Sequence, residues 1–171
     1  MSDQPMRAIR VEKIVINVGV GEAGDRLLKA QKVLEMITGQ KAVQTVSRST
    51  IRDWGIRDRM PIGCKVTLRR TRALDFLRKA LAVRNRRLPA YSFDPEGNFS
   101  FGIPDYTDFE GMKYDPEIGV YGMDVSVVLE RPGFRVKRRR LLRGSIPADH
   151  RIRRQEGIDF AREQFQVEVV D

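Results

Sequence analysis

Cysteine, histidine and tryptophan occur once each in these 171 residues. A lone Cys64 excludes a disulfide within the chain, and with His150 as the only imidazole the usual ligands of a zinc site are missing. Neither a metal nor a cofactor is expected. No apolar run approaches the ~18 to 20 residues that cross a bilayer, and Met1 to Arg10 has no apolar stretch of the signal-peptide kind. A cytoplasmic protein with no membrane partner is therefore expected. Cys64 sits in an apolar alternation and is expected in the core, where free cysteine is commonly buried.

Positive charge is what the chain has in excess: its formal charge is +9, with 41% hydrophobic residues to build one core. Between Ser47 and Arg72 lie Arg48, Arg52, Arg57, Arg59, Lys65, Arg69, Arg70 and Arg72, opposed only by Asp53 and Asp58, around the single Trp54. The segment then alternates, with Cys64, Val66 and Leu68 on one side and Lys65, Thr67 and Arg69 on the other. A strand of period two buries the first set and presents the second. A cationic, hydroxyl-bearing sheet face points to a polyanion, and nucleic acid is the expected partner.

The net charge hides segregation. Asp94 to Glu130 holds nine acids and one base, and Arg131 to Arg154 holds ten bases and one acid. Phosphates that attract the second stretch repel the first. The acidic span is either the surface for a protein partner or a solvated rim. The run Lys137, Arg138, Arg139 and Arg140 either grips RNA or is itself solvated.

Periodicity predicts a strand over Ile9 to Val20, with Ile14, Ile16 and Val18 inward and Asn17 outward, then a helix over Asp25 to Thr38 closed by Gly39. On that helix Leu27, Gln31, Leu34 and Ile37 or Thr38 fall near one stripe. Lys41 to Ser47 reads as a short strand. Thr71 is the expected N-cap of a second helix carrying Leu74, Leu77, Leu81 and Leu88 and ended by Pro89. From Tyr91 onward short extended pieces are broken by turn residues. Met123 to Glu130 is the clearest of them, with Val125, Val127 and Leu129 inward. A helix from about Arg154 to Gln164 and an extended Phe165 to Val170 complete the pattern. No repeat or linker interrupts it, so the expectation is a single domain over residues 1–171. Its class is α+β: two layers, a mostly antiparallel sheet with helices on one face and the other face open for RNA.

Gly19, Gly21 and Gly24 match the spacing of a dinucleotide-binding turn between a strand and a helix. That reading needs an acid at the end of the next strand to hold the ribose, and Gln44-Thr45-Val46-Ser47-Arg48 offers none. No group of His, Cys or Lys with carboxylates suggests hydride transfer or hydrolysis. The chain is expected not to be an enzyme, and the turn is expected to serve close backbone approach.

Taken together, Val11-Glu12-Lys13-Ile14-Val15-Ile16-Asn17-Val18-Gly19-Val20-Gly21-Glu22-Ala23, Thr38-Gly39-Gln40-Lys41 and Pro61-Ile62-Gly63-Cys64-Lys65-Val66-Thr67-Leu68-Arg69 resemble the universal large-subunit ribosomal protein number five family. The likeness continues through Gly97-Asn98-Phe99-Ser100-Phe101-Gly102 and Gly122-Met123-Asp124. The stretch from Leu129 to Arg135 and that from Ala148 to Ile152 are similar to its archaeal and eukaryotic branch. The resemblance implies a structural constituent of the large subunit that binds 5S rRNA in the central protuberance, beside 23S rRNA and other central-protuberance proteins. It also implies a loop reaching P-site tRNA and a bridge to the small-subunit head protein number thirteen. Carried onto this chain, the 5S-facing set is Asn17, Gln40 and Thr67, to which the strand pattern adds Lys65 and Arg69. The tRNA-facing protrusion is the loop at about 48–60, with Arg48, Arg52, Trp54, Arg57 and Arg59. Trp54 is expected either to stack on a nucleotide or to pack the loop's base. A 23S contact falls on Lys137, Arg138, Arg139 and Arg140.

Overall fold

The computed structural model describes residues 4–170. Strand β1 (Arg10–Gly19) leads into helix α1 (Asp25–Thr38), strand β2 (Val43–Val46), strand β3 (Pro61–Leu68) and helix α2 (Arg70–Val83). Short β4 (Arg87–Pro89), β5 (Phe99–Ile103), β6 (Met123–Glu130), helix α3 (Arg154–Phe165) and β7 (Glu168–Val170) follow. Five strands form one antiparallel sheet in the order β2-β3-β1-β6-β5, and β4 pairs with β7 in parallel. The class is α+β, as the pattern of alternation implies. Among the described residues no helix is long and apolar enough to cross a membrane.

Alternation decides which side of the sheet is covered. Ile14, Ile16, Val18, Cys64, Val66, Leu68, Phe99, Phe101, Val125 and Val127 all lie on one side and are buried. Helix α1 packs there on β3 and α2 on β1. In α2 the buried set is Ala73, Phe76, Leu77, Ala80 and Leu81, the three-and-four spacing of one helical stripe. In α1 it is Leu27, Ala30, Val33 and Leu34, so Ala30 and Val33 take the places expected of Gln31 and Ile37. Gln31 lies at the margin, where its amide donates to the carbonyl of Ala42 at 3.3 Å.

Both boundaries of α2 differ from expectation. Thr71 lies inside α2, whose N-cap is Arg69 with no side-chain cap, and Leu88 belongs to β4 rather than to the helix. Asn85 and Arg86 both take positive φ (53° and 55°), which reverses the chain after Val83. Leucine spacing alone carries no sign of that reversal.

The glycine turn is no dinucleotide crossover. β2 runs parallel to β1, but β3 is inserted between them, so the strand–helix–strand unit is split. Gly21 (φ +84) and Gly24 (φ +115) supply left-handed backbone that an L side chain takes only with strain.

Candidate nucleic-acid interface

The side of the sheet away from the helices carries small and polar groups. Two cross-strand rows define it: Ser100, Ser126, Val15 and Thr67, and beside it Gly102, Asp124, Asn17, Lys65 and Val43. Asn17 and Lys65 are directly opposed. Lys65, Asp124, Ser126 and Ser100 are exposed, while Asn17 and Thr67 are half-buried between neighbouring strands.

Gln40 joins this face through its helix cap. Gly39 adopts φ 63 and its N–H donates to the carbonyl of Glu35 at 2.9 Å, turning the chain back toward β3. The Gln40 amide then donates to the carbonyl of Thr67 at 3.3 Å. Val43 faces Lys65 as the first residue of β2, so Gln40 satisfies β3 where a longer β2 would have paired. Asn17, Gln40, Lys65 and Thr67 are thus brought together.

Arg69 stands at the rim of this face. β3 ends at Leu68, and the Arg69 guanidinium reaches the Glu12 carboxylate at 3.5 Å. Glu12 is the extra residue of a bulge between Val11 and Lys13, and is only 10% exposed. Arg138 forks between Glu12 and Glu130, meeting the second at 2.7 Å, and Arg10 holds the other Glu130 oxygen at 2.8 Å. Alternation of the strand gives no sign of this cluster, because Glu12 and Arg138 are 126 positions apart.

Loop 48–60 is an extended tip on the β2–β3 hairpin. Ser47 and Met60 close its base (N to O, 2.8 Å), and Ile51 and Ile56 exchange both backbone bonds at 2.8 and 3.0 Å. Ile56 is buried there. Trp54 stands in a single 3-10 turn ended by Gly55 and is 73% exposed, so it does not pack the base of the loop. Arg48, Arg52, Arg57 and Arg59 are exposed around it, and of these Arg59 alone pairs with a carboxylate among the described residues, Asp58 at 3.7 Å.

The basic run after β6 is more engaged. The Lys137 ammonium lies 5.4 Å from the centre of the Phe134 ring, and Arg139 donates to the carbonyl of Leu142 at 2.6 Å. Arg140 is exposed. Arg131, its side chain 7% exposed, pairs with Glu156 at 2.7 Å. Burial pushes the Glu156 carboxyl up. The Arg153 N–H, the Arg131 guanidinium and the charge of Arg153 outweigh it and leave the group below its ordinary value.

The sequence profile of ribosomal protein L5 matches residues 4–57, and that of the ribosomal L5P family C-terminus matches residues 61–160. The chain belongs to the ribosomal protein L5 family. It is 53% identical to the large ribosomal subunit protein uL5 of Thermoplasma volcanium over 166 residues, covering 96% of this chain and 98% of that one. It is 53% identical to the uL5 of Thermoplasma acidophilum over 167 residues (97% and 98%), and 51% identical to that of Methanoculleus marisnigri over 164 residues (96% and 98%). This L5-family chain is accordingly a structural constituent of the large ribosomal subunit, in the cytoplasm, and not an enzyme. The two profiles meet between β2 and β3, yet β3 from the second lies between β2 and β1 from the first, so one sheet uses both.

Proposed function

We propose that the chain attaches 5S rRNA in the central protuberance, working as one unit over residues 1–171. The observation that carries this is the uncovered sheet face, where Lys65 supplies charge and Asn17, Gln40 and Thr67 supply short polar groups in one cluster. Cations neutralise phosphate and release counterions, while amides and hydroxyls meet ribose 2′-hydroxyls and exposed base edges. Arg69 stands at the rim of this face, tethered to Glu12. Filter binding of the full chain to 5S rRNA tests the reading. Lys65→Ala with Thr67→Ala weakens binding about tenfold or more, whereas Asp108→Asn with Glu110→Gln leaves it intact. Equal binding by both variants sinks the proposal.

The remaining partners divide over the other surfaces. Loop 48–60 offers Arg48, Arg52, Arg57 and Arg59, with the exposed Trp54 as a stacking plane, to the P-site tRNA. Lys137 to Arg140 face 23S rRNA, with Arg138 acting as the anchor and Arg140 reaching outward. The acidic span, apart from the part of β5 and β6 that lies on the open sheet face, serves the small-subunit head protein number thirteen. Within it Asp94, Asp105, Asp115 and Glu130 accept internal hydrogen bonds. Asp108, Glu110 and Glu117 stay exposed, in the chain on either side of the residues that with the exposed Met36 and Tyr114 line one hollow, which suits a basic protein segment with an apolar anchor.

A further inference from the structure

Tyr91 is 84% exposed, although the backbone beneath it is fixed. The Ala90–Ser92 turn closes with the Phe93 N–H on the Ala90 carbonyl at 3.2 Å, and Arg154 donates to the same oxygen at 2.6 Å. Phe93 is buried against Phe99, with ring centres 5.1 Å apart. An exposed phenol ring therefore stands on a fixed turn.

Beside it is a shallow cleft of about 390 Å³ on the helix-free side of β5 and β6. Its floor is Ser100 opposite Ser126 and Gly102 opposite Asp124. These side chains are short, so a flat ring can lie against the sheet, and a Cβ at Gly102 would meet only Asp124 Oδ1, at 3.8 Å. Asp124 pairs with no cation among the described residues. Arg84 lines the rim, exposed, whereas Arg86 and Arg87 are already bonded to Gln166 and Glu168.

We infer that this cleft is a nucleotide subsite, in which Tyr91 stacks on an unstacked rRNA base, Asp124 and the two serines receive base-edge and ribose donors, and Arg84 meets phosphate. The inference rests on the reading that the open face receives 5S rRNA, and it extends that contact to β5, three strands and ~14 Å from Thr67. The chemistry of the floor favours RNA over protein. A protein side chain covering Tyr91 needs apolar walls, and the floor offers hydroxyls and a carboxylate. A nucleotide brings a π-face for the ring, N–H and 2′-hydroxyl donors for the floor and an anion for Arg84.

The test is salt-dependent filter binding of the full chain to a 5S rRNA transcript. Tyr91→Ala is expected to weaken binding about tenfold at every salt concentration without changing the slope. Tyr91→Phe restores it, and Arg84→Gln lowers the slope by about one. In a second readout, Trp54→Phe combined with Tyr91→Trp leaves one indole in the cleft, and its emission is quenched by added 5S rRNA. Binding by Tyr91→Ala equal to the parent's, with an unquenched indole, overturns the subsite while leaving 5S attachment standing. Quenching by a ribosomal protein and not by RNA overturns it too. A parent chain that does not bind 5S rRNA defeats the wider reading and the subsite together.

Discussion

Loop 48–60 and the stretch Arg131 to Arg154 look alike as charge, both arginine-rich, yet the fold uses them in opposite ways. In the loop, Arg48, Arg52 and Arg57 project from a small hairpin with no carboxylate partner among the described residues. In the later stretch, Arg131 is buried on Glu156, Arg138 joins Glu12 to Glu130, and Arg151 and Arg154 donate to the carbonyls of Ile146 and Ala90. Counting cations therefore overstates what the second region can give to phosphate. Availability is set by which carboxylates and carbonyls lie close in space, and those come from distant parts of the chain.

Removing an acid that the later stretch depends on has the largest expected effect. Glu156→Ala leaves the Arg131 guanidinium buried without its counter-charge, and its Nε already lacks a hydrogen-bond partner. It also removes the oxygen that accepts the Arg153 N–H at 2.9 Å at the start of α3. The expected cost is about 3–5 kcal/mol in urea unfolding at neutral pH. Arg131→Met costs less, because the carboxylate left behind is 40% exposed. The acid side supplies a signature. A carboxyl held below its unfolded value contributes stability that is present above the unfolded pKa and is lost as pH falls through the folded one. Glu156→Ala therefore flattens the acid limb of stability against pH, and an unaltered limb would refute the assignment.

Next in size is the seat of α3. A Cβ at Gly157 would stand 2.4 Å from the carbonyl oxygen of Gly97, and Gly97 itself holds φ +75. The clash is with backbone, so Gly157→Ala must displace the helix from the Asp94–Asn98 turn, at about 1–3 kcal/mol or somewhat more. Hydrogen exchange should show the loss first in α3 and β7, with β1 and β3 protected. Uniform loss over the sheet would mean that α3 is not a separable support.

Much of this architecture was legible because local pattern and tertiary packing agree. β1, β3 and β6 alternate cleanly, and α1 ends at Gly39 where a left-handed cap was expected. The outward placement of Asn17, Lys65 and Thr67 follows from the same period of two. What local pattern misses is long-range: the Glu12 bulge that captures Arg69 and Arg138, the Arg131–Glu156 pair, and the Asn85–Arg86 reversal that sends Leu88 into β4. Trp54 illustrates the limit differently, because Ile51 and Ile56 close the loop and leave the indole outside.

Cys64 gives an intermediate effect on reactivity. Burial, with some help from the nearby Glu35 charge, pushes its thiol up to about 11. At neutral pH it stays protonated and inaccessible, so alkylation proceeds only through opening of β3 and is at least tenfold slower than for the unfolded chain. The raised value also works on stability: its contribution is complete below the unfolded thiol pKa of about 8.5 and declines as pH rises toward 11. Rapid labelling at pH 7 in native buffer would contradict the burial of this strand.

The smallest effect on folding is also the cleanest discriminator between the two basic regions. Arg57→Gln touches no internal partner and is expected to change stability by no more than about 0.5 kcal/mol. It is nevertheless expected to lower the salt slope of tRNA binding by about one, since one phosphate contact and its counterions are lost. Arg138→Gln should do the reverse. It takes the shared cation away from Glu12 and Glu130, 10% and 8% exposed, leaving Glu130 to Arg10 and Glu12 to Arg69 and Lys13, and so destabilises the fold, while the slope stays as in the parent. If Arg57→Gln leaves the slope unchanged while Arg138→Gln lowers it, the division between a loop kept for tRNA and an Arg138 that anchors the fold is wrong.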